Sequence, residues 1–478
     1  MRPTTPFTRA VRRRGAATLA ALALGVGALS ACSVTSAATS ATSAEGSVWD
    51  STSVHEVELD IDEDEYAEML ATYQESSEKE WLTADVTIDG QTFSDAGIRL
   101  KGNSSLRGVD ADADAVDLPW LIDLDKFVDG QSLDGWERFV VRSNTSETAL
   151  NEAVALELLE EAGLASEEAA SISFSANDSE SSLRLMVQDL DDRWDEATFG
   201  TDGTLYKAEA GGDYSYRGDD AAAYEDVFDI EAGTEDYAPL TEFLQWLEES
   251  SDEEFAEGLA ERLDVDAFAT YLAFEDLVGN FDDIAGPGNN SFLRWDAEAG
   301  QMTVVAWDHN LAFGQTNGGG GAGGVGGGRG GGVPGELPEG AELPDGAELP
   351  EGAELPEGAG PPLGGERPEG LVAPADGERP EGGPGGGEGG MGSNILSERF
   401  LADDGFAALY DAAVEDLQAE LFDDGSAQEV LDAWTEVLTA QAGDLVDSST
   451  VETEAEAIAS YFDGHAVDET DDGPVVGG

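Results

Sequence analysis

The sequence predicts an α+β chain: a β-rich first half, a mainly helical second half, and a Gly/Pro-rich insertion that interrupts the helical part. Three observations carry this. Period-two alternation, as in His55-Glu56-Val57-Glu58-Leu59, recurs up to about residue 190 and marks strands with one buried face. Apolar residues at helical spacing dominate residues 240–278 and again 407–461. Between those stretches, residues 316–392 are Gly-rich and hold four tandem hexapeptides starting at Glu336, Glu342, Glu348 and Glu354. Each repeat has one Leu and one Pro and cannot bury a core, so a disordered or polyproline-like insertion is expected. It interrupts one domain, because the helices after it would make a weak core alone.

The first 32 residues read as a targeting segment. Arg9, Arg12, Arg13 and Arg14 form a basic n-region, and the small apolar run 15–31 suits a secretory h-region better than a membrane span. It ends in Leu29-Ser30-Ala31-Cys32, similar to a bacterial lipobox. Cys32 is therefore the expected lipidation site, and the outer face of the cytoplasmic membrane the expected location. The other reading is an ordinary signal peptide with a coincidental Cys. Cys32 is the only cysteine, so no disulfide within the chain can support an exported domain. Residues 33–53 form a Ser/Thr/Ala-rich flexible tether. Folded sequence is expected over 54–315 and 393–465, with a disordered tail over 466–478.

Within the folded part, 55–59 alternates as a strand and 63–73 reads as a short helix. Residues 81–88 and 97–100 are strands around the turn pair Asp89-Gly90, a hairpin signal. Strands follow at 120–124 and 139–142. Residues 147–162 form an amphipathic helix closed by Gly163. A strand pair at 171–175 and 183–190 completes the first half. Helices are expected at 240–249, 253–262 and 266–278, then a polar loop over 279–290 and a hairpin of 291–295 with 302–307. Beyond the insertion, helices are expected at 407–421, 427–442 and 451–461.

After Cys32 the chain carries 17 Lys and Arg against 103 Asp and Glu, a formal charge of −86. Such a surface repels nucleic acid and anionic membranes, which excludes DNA or RNA as a partner and leaves the lipid as the only membrane contact. It also makes each cation informative. Alternation puts Arg99 and Lys101 on one strand face beside Gly102-Asn103-Ser104-Ser105, a turn of small residues whose N–H groups can approach an anion. Two cations facing one way suit a triphosphate; a charged solvent-facing edge is the alternative. No GxxxxGK[ST] loop is present.

The tightest grouping of reactive side chains lies around the polar loop. Gly279-Asn280-Phe281-Asp282-Asp283 and Asn289-Asn290 precede the apolar run 302–307, which ends in Trp307-Asp308-His309-Asn310-Leu311-Ala312-Phe313-Gly314. Phosphoryl transfer needs such a set, one carboxylate near the nucleophile and a carboxylate plus an amide for Mg²⁺. Taken singly, Asp308 is equally a strand-end turn cap, and Asp282, Asp283, Asn289 and Asn290 are equally turn residues. His309 has no second His nearby, so a His-based metal site lacks support and His309 reads as a packed neighbour. The Asp60-Asp62-Asp64 and Asp110-Asp112-Asp114 runs lack the Gly and Glu of a Ca²⁺ loop and read as solvated segments.

These residues, in this order, resemble the CotH family of spore-coat-protein-H-like atypical protein kinases. The resemblance rests on Arg99 to Ser105, Leu185 to Asp192, Leu205-Tyr206-Lys207, Gly279 to Asp282 with Asn290, and Trp307 to Gly314. It implies a two-lobed protein-kinase-like fold, with a β-rich N-lobe and a mainly helical C-lobe, that binds ATP with Mg²⁺ or Mn²⁺. It also implies that Asp282 is the catalytic-loop acid, with Asp283 able to share that role. Asn290 and Asp308 become metal ligands; Lys101, Arg99 and the Ser104 turn contact the phosphates. The implied activity is transfer of the ATP γ-phosphoryl group to Ser or Thr of a surface protein. Two positions depart from the family pattern: Gln188 stands where a Glu is usual, and Asn151 where an Arg is usual. Gln188 lacks a charge that could orient a cation or metal, and with the insertion it favours the alternative of a non-catalytic surface protein acting in adhesion or envelope assembly.

Overall fold

A computed structural model describes residues 47–315, apart from 178, 210, 211, 287 and 288, and residues 394–465. The targeting segment with Cys32, nearly all of the tether, the insertion and the tail lie outside the described residues. The fold mixes strands and helices: a seven-stranded closed barrel, a separate four-stranded sheet, and helices packed on both.

The barrel is built from β1 (His55–Ile61), β2 (Leu82–Ile88), β3 (Gln91–Leu100), β4 (Trp120–Asp123), β5 (Arg138–Val141), β6 (Ala169–Ala176) and β7 (Ser182–Gln188). Its order is β1-β2-β3-β4-β5-β7-β6, closed by parallel pairing of β6 with β1, His55 opposite Ile172. In β1 and β2 every second residue is buried, so the alternation in the sequence is the barrel's inside–outside period. Asp89 and Gly90 both take positive φ, 48° and 78°, the requirement of a two-residue turn matched to strand twist. Helix α1 (Glu63–Ser76) starts at Asp62, whose side chain accepts from the N–H groups of Asp64 and Glu65. That Asp-x-Asp run is a helix cap.

Between β5 and β6, helix α2 (Leu150–Glu161) is buried along most of its length. It begins later than the expected residue 147 because Ala149 is left-handed, φ 54°, with its N–H bonded to Ser146 Oγ. Four elements were not expected from the sequence: the helix at Ile395–Ala402, α3 (Asp192–Thr198), β8 (Gly203–Ala208) and β9 (Phe228–Gly233). The short strands carry interspersed acids and a lysine that blur the alternation. With β10 (Ser291–Asp296) and β11 (Gln301–Ala306) they form the second sheet, in the order β11-β10-β8-β9.

Helices α4 (Ala238–Glu249), α5 (Asp252–Gly258) and α6 (Val265–Val278) pack with α7 (Ile395–Ala402), α8 (Asp404–Leu417), α9 (Ser426–Gln441) and α10 (Ser448–His465). One apolar core joins Leu156 of α2, Phe268 of α6 and Leu431 of α9. Glu454 of α10 accepts the N–H groups of Glu147 and Thr148 at 3.0 Å each, which fixes the entry to α2. Among the described residues no helix is long and apolar enough to cross a membrane.

Candidate active site

The cationic strand comes first. Lys101, just past the end of β3, donates to Asp189, just past the end of β7. Asp189 is 5 % exposed and also pairs with Arg138 Nη1 at 3.5 Å. Burial pushes its carboxyl up, but the charge and hydrogen bond of Lys101 outweigh this with help from Arg138, and hold it below the ordinary range. The acid that meets the strand lysine is Asp189, one residue beyond Gln188. Successive strand residues face opposite ways, and Gln188 turns from Lys101 so that its Oε1 accepts the N–H of Glu168, 2.9 Å.

Two further cations join Arg99 and Lys101. Lys79 is drawn below its ordinary range by burial and then by Lys207, Arg99 and Lys101, with only Glu209 opposing. Four of the 17 cations after Cys32 thus feel one another, a costly arrangement in water and a favourable one around phosphates. Lys207 of β8 keeps Glu209 at 3.0 Å. Arg99 lies over the Trp81 ring at 4.9 Å, and its buried Nε has no partner among the described residues. Ser104 begins a short 3₁₀ turn, Ser104–Leu106, three residues beyond Lys101, in which both serines are exposed and Leu106 is buried.

The acids arrive through the second sheet. Ser291 pairs with Ala306 and Phe292 with Lys207, so Asn290, Trp307 and Lys207 sit at the same end of three adjacent strands. The Trp307 ring lies 5.6 Å from Lys101 Nζ and 5.6 Å from the Arg142 guanidinium. Trp307 therefore links the lysine strand to Asp308. Asp308 is left-handed, φ 64°, a conformation Asp tolerates better than most residues. Arg142 contacts Asp308 Oδ1 and, at 2.5 Å, Glu152 Oε1 of α2. Burial opposes the charge of Arg142, but the two carboxylates hold it firmly protonated, above its ordinary range. Burial also pushes Glu152 up, against the pull of Arg142.

Behind Asp308, His309 is fully buried, with Nε2 3.1 Å from Glu275 Oε1. Glu275 Oε2 accepts from Asn280 Nδ2 at 2.9 Å, and Phe313 donates its N–H to the Val278 carbonyl at 2.6 Å. The turn after Asp308 and the loop that carries Asp282 are both tied to the end of α6. His309 is a packing residue, as its sequence context suggested. Asp283 is occupied locally: its Oδ1 accepts the N–H of Ala285, 2.9 Å. Asp282 is half-buried on the same loop, which folds back so closely that a Cβ on Gly286 would fall 2.6 Å from Asp282 Cα. Asn289, left-handed at φ 52°, is spent on the Gly212 carbonyl, while Asn290 stands half-buried at the strand end.

The structure thus gathers Arg99 and Lys101 with Lys79 and Lys207, and sets Lys101 against Trp307 beside Asp308. Asp189, Arg142, Glu152 and Glu275 were missed in the sequence. Arg142 had one legible signal, a cation closing an apolar strand in a chain poor in cations. Among the described residues no three His, Cys, Asp or Glu side chains group to hold a metal ion. Arg142 engages Asp308 through Oδ1, and Oδ2 has no hydrogen-bond partner among the described residues. A family model described as CotH kinase protein matches residues 98–463. No curated protein matches the chain.

Proposed function

The chain belongs to the CotH kinase family, and on that premise we propose that it is an exported protein kinase tethered to the outer face of the cytoplasmic membrane by lipid on Cys32. It transfers the γ-phosphoryl group of ATP to Ser or Thr of a surface or envelope protein. In this reading the barrel is the N-lobe of a two-lobed kinase-like fold, and the second sheet with the helices is the C-lobe. The observation that carries the reading is Lys101, which is paired to Asp189 and set against Trp307 immediately before Asp308.

Lys101, Arg99, Lys79 and Lys207 hold the phosphate oxygens, with the Ser104 turn beside them. Four cations are needed because the acidic surface repels free nucleotide. Asp308 and Asn290 would hold Mg²⁺ or Mn²⁺, and the ion would supply charge neutralisation to the phosphates. Arg142 orients Asp308 through Oδ1. Asp282 orients the substrate hydroxyl. As that oxygen bonds to the γ-phosphorus, its proton passes to the Asp282 carboxylate, the bond to the β–γ bridging oxygen breaks, and ADP leaves.

The test is label transfer from γ-labelled ATP with Mg²⁺ or Mn²⁺. The wild type is expected to incorporate label, Asp308→Ala and Asp282→Asn to lose it by roughly a hundredfold or more, on the scale of removing one electrostatic catalytic group, and Asp283→Asn to keep most of it. Equal labelling by wild type and Asp308→Ala, or no nucleotide binding by wild type, overturns the proposal.

A further inference from the structure

Two lysines of the cation cluster, Lys101 and Lys207, come from different sheets and carry acids of different kinds. Lys207 stands opposite Phe292, whose ring packs on Trp307 at 5.4 Å, and Lys101 lies over that same Trp307 ring at 5.6 Å. The acid on Lys101 is Asp189, whose side chain is 5 % exposed and also holds Arg138 at 3.5 Å. Buried and doubly paired, it is fixed in place. The acid on Lys207 is Glu209, 3.0 Å away, with a side chain 34 % exposed at the edge of the site. Its backbone is pinned. The Glu209 N–H donates to the Val227 carbonyl at 3.0 Å, and the Glu209 carbonyl accepts from Gly212 at 2.6 Å. A Cβ on Gly212 would fall 2.5 Å from the Val227 carbonyl oxygen, so this turn stays tight and movement is left to the Glu209 side chain.

Lys207 is oversupplied with negative charge. Asp229 stands directly across from it in β9, and Glu231 follows two residues later. Burial opposes the charge of Lys207, but Glu209, then Glu231 and Asp229, hold it above its ordinary range. The crowding shows on Asp229, pushed up by burial, then by Glu209 and Glu231, against the pull of Lys207. A carboxylate and a phosphate oxygen make the same charge-assisted bond to an ammonium, and like charges this close repel. We propose that Glu209 is an internal competitor of the nucleotide: its carboxylate occupies Lys207 until the phosphates arrive and then turns out to solvent, so that it lowers the affinity for ATP. This rests on the reading of the cation cluster as the phosphate site. Asp189 and Glu209, each the partner of one lysine in that cluster, thus act with opposite sign.

The test is calorimetric titration of the mature protein with Mg²⁺–ATP and, separately, with inorganic tripolyphosphate, at fixed ionic strength. Glu209→Gln should bind both anions roughly five- to tenfold more tightly than the wild type, the scale of one partly screened charge contact. Removing any acid from so acidic a chain favours anions slightly, so the control is Glu436→Gln, at an exposed position of α9. That variant should bind as the wild type does. Wild-type binding, with Glu209→Gln equal to the control or weaker, overturns the competitor and leaves the kinase reading intact; weaker binding would make Glu209 a support of Lys207. Tighter binding by Glu209→Gln without label transfer by either protein overturns the kinase reading and leaves the competitor. Binding of neither anion by any of the three proteins overturns both.

Discussion

His309 Nε2 lies 3.1 Å from Glu275 Oε1, and the other oxygen of that carboxylate holds Asn280 at 2.9 Å. One buried acid thus joins the turn behind Asp308 to the loop ahead of Asp282. Burial opposes the His309 charge, but Glu275 and the neighbouring Glu167 and Glu152 overcome it and raise the imidazole above its ordinary range. Glu275→Ala strands a buried imidazole and a buried amide together. It should cost about 3–5 kcal/mol, the range for breaking a buried pair, measured by urea unfolding. Glu275→Gln, which keeps a hydrogen-bonding oxygen, should cost less.

The pairing of Lys101 with Asp189 separates two adjacent residues by role. Asp189→Asn should lower phosphoryl transfer by roughly ten- to a hundredfold, about 1.4 kcal/mol per decade, with the loss concentrated in nucleotide affinity. Gln188→Glu should not restore it, since Gln188 faces the other way. Rescue of Asp189→Asn by Gln188→Glu in a labelled-ATP assay would contradict the register of β7.

Gly286 sets how closely the loop approaches Asp282. An added Cβ would stand 2.6 Å from Asp282 Cα and 2.8 Å from its carbonyl carbon, closer than real Cβ atoms come. Gly286→Ala should therefore shift Asp282 and reduce turnover more than it reduces nucleotide affinity. The comparison is kcat against the Kd for ATP, with Tm as a check that the core is intact.

Glu167 makes stability depend on pH in a known direction. It faces His309, Arg142 and Glu152, and burial raises it from 4.5 to about 7. Between those values the folded state keeps a proton that the unfolded chain gives up, so this contribution falls as pH rises from 4.5 through 7. At ~1.4 kcal/mol per unit the ceiling is roughly 3 kcal/mol. Glu167→Gln should thus be more stable than wild type at pH 8, by about 1–3 kcal/mol, with the difference vanishing near pH 4.5. Parallel Tm curves for the two proteins across that range would remove the desolvated carboxyl from the account.

Local order was legible because it depends on neighbours in the chain. The alternation of β1 and β2, the Asp89-Gly90 turn, the Gly163 end of α2 and the helical period of α6 and α9 each follow from side-chain spacing and backbone sterics, and each is present. So were Arg99 and Lys101 on one strand face, and Asp308 at the end of a buried strand. The order of the motifs also resembled the CotH family before any coordinate was needed. Tertiary structure decided what depends on distant partners. Closure of the barrel by β6 on β1 joins residues more than a hundred positions apart. Arg142 meets Asp308 across 166 positions, and Glu275 meets His309 across 34. The sharpest case is the strand acid: a one-residue difference between Gln188 and Asp189 is a reversal of face, and only the register of β7 against its neighbours determines which side chain meets Lys101.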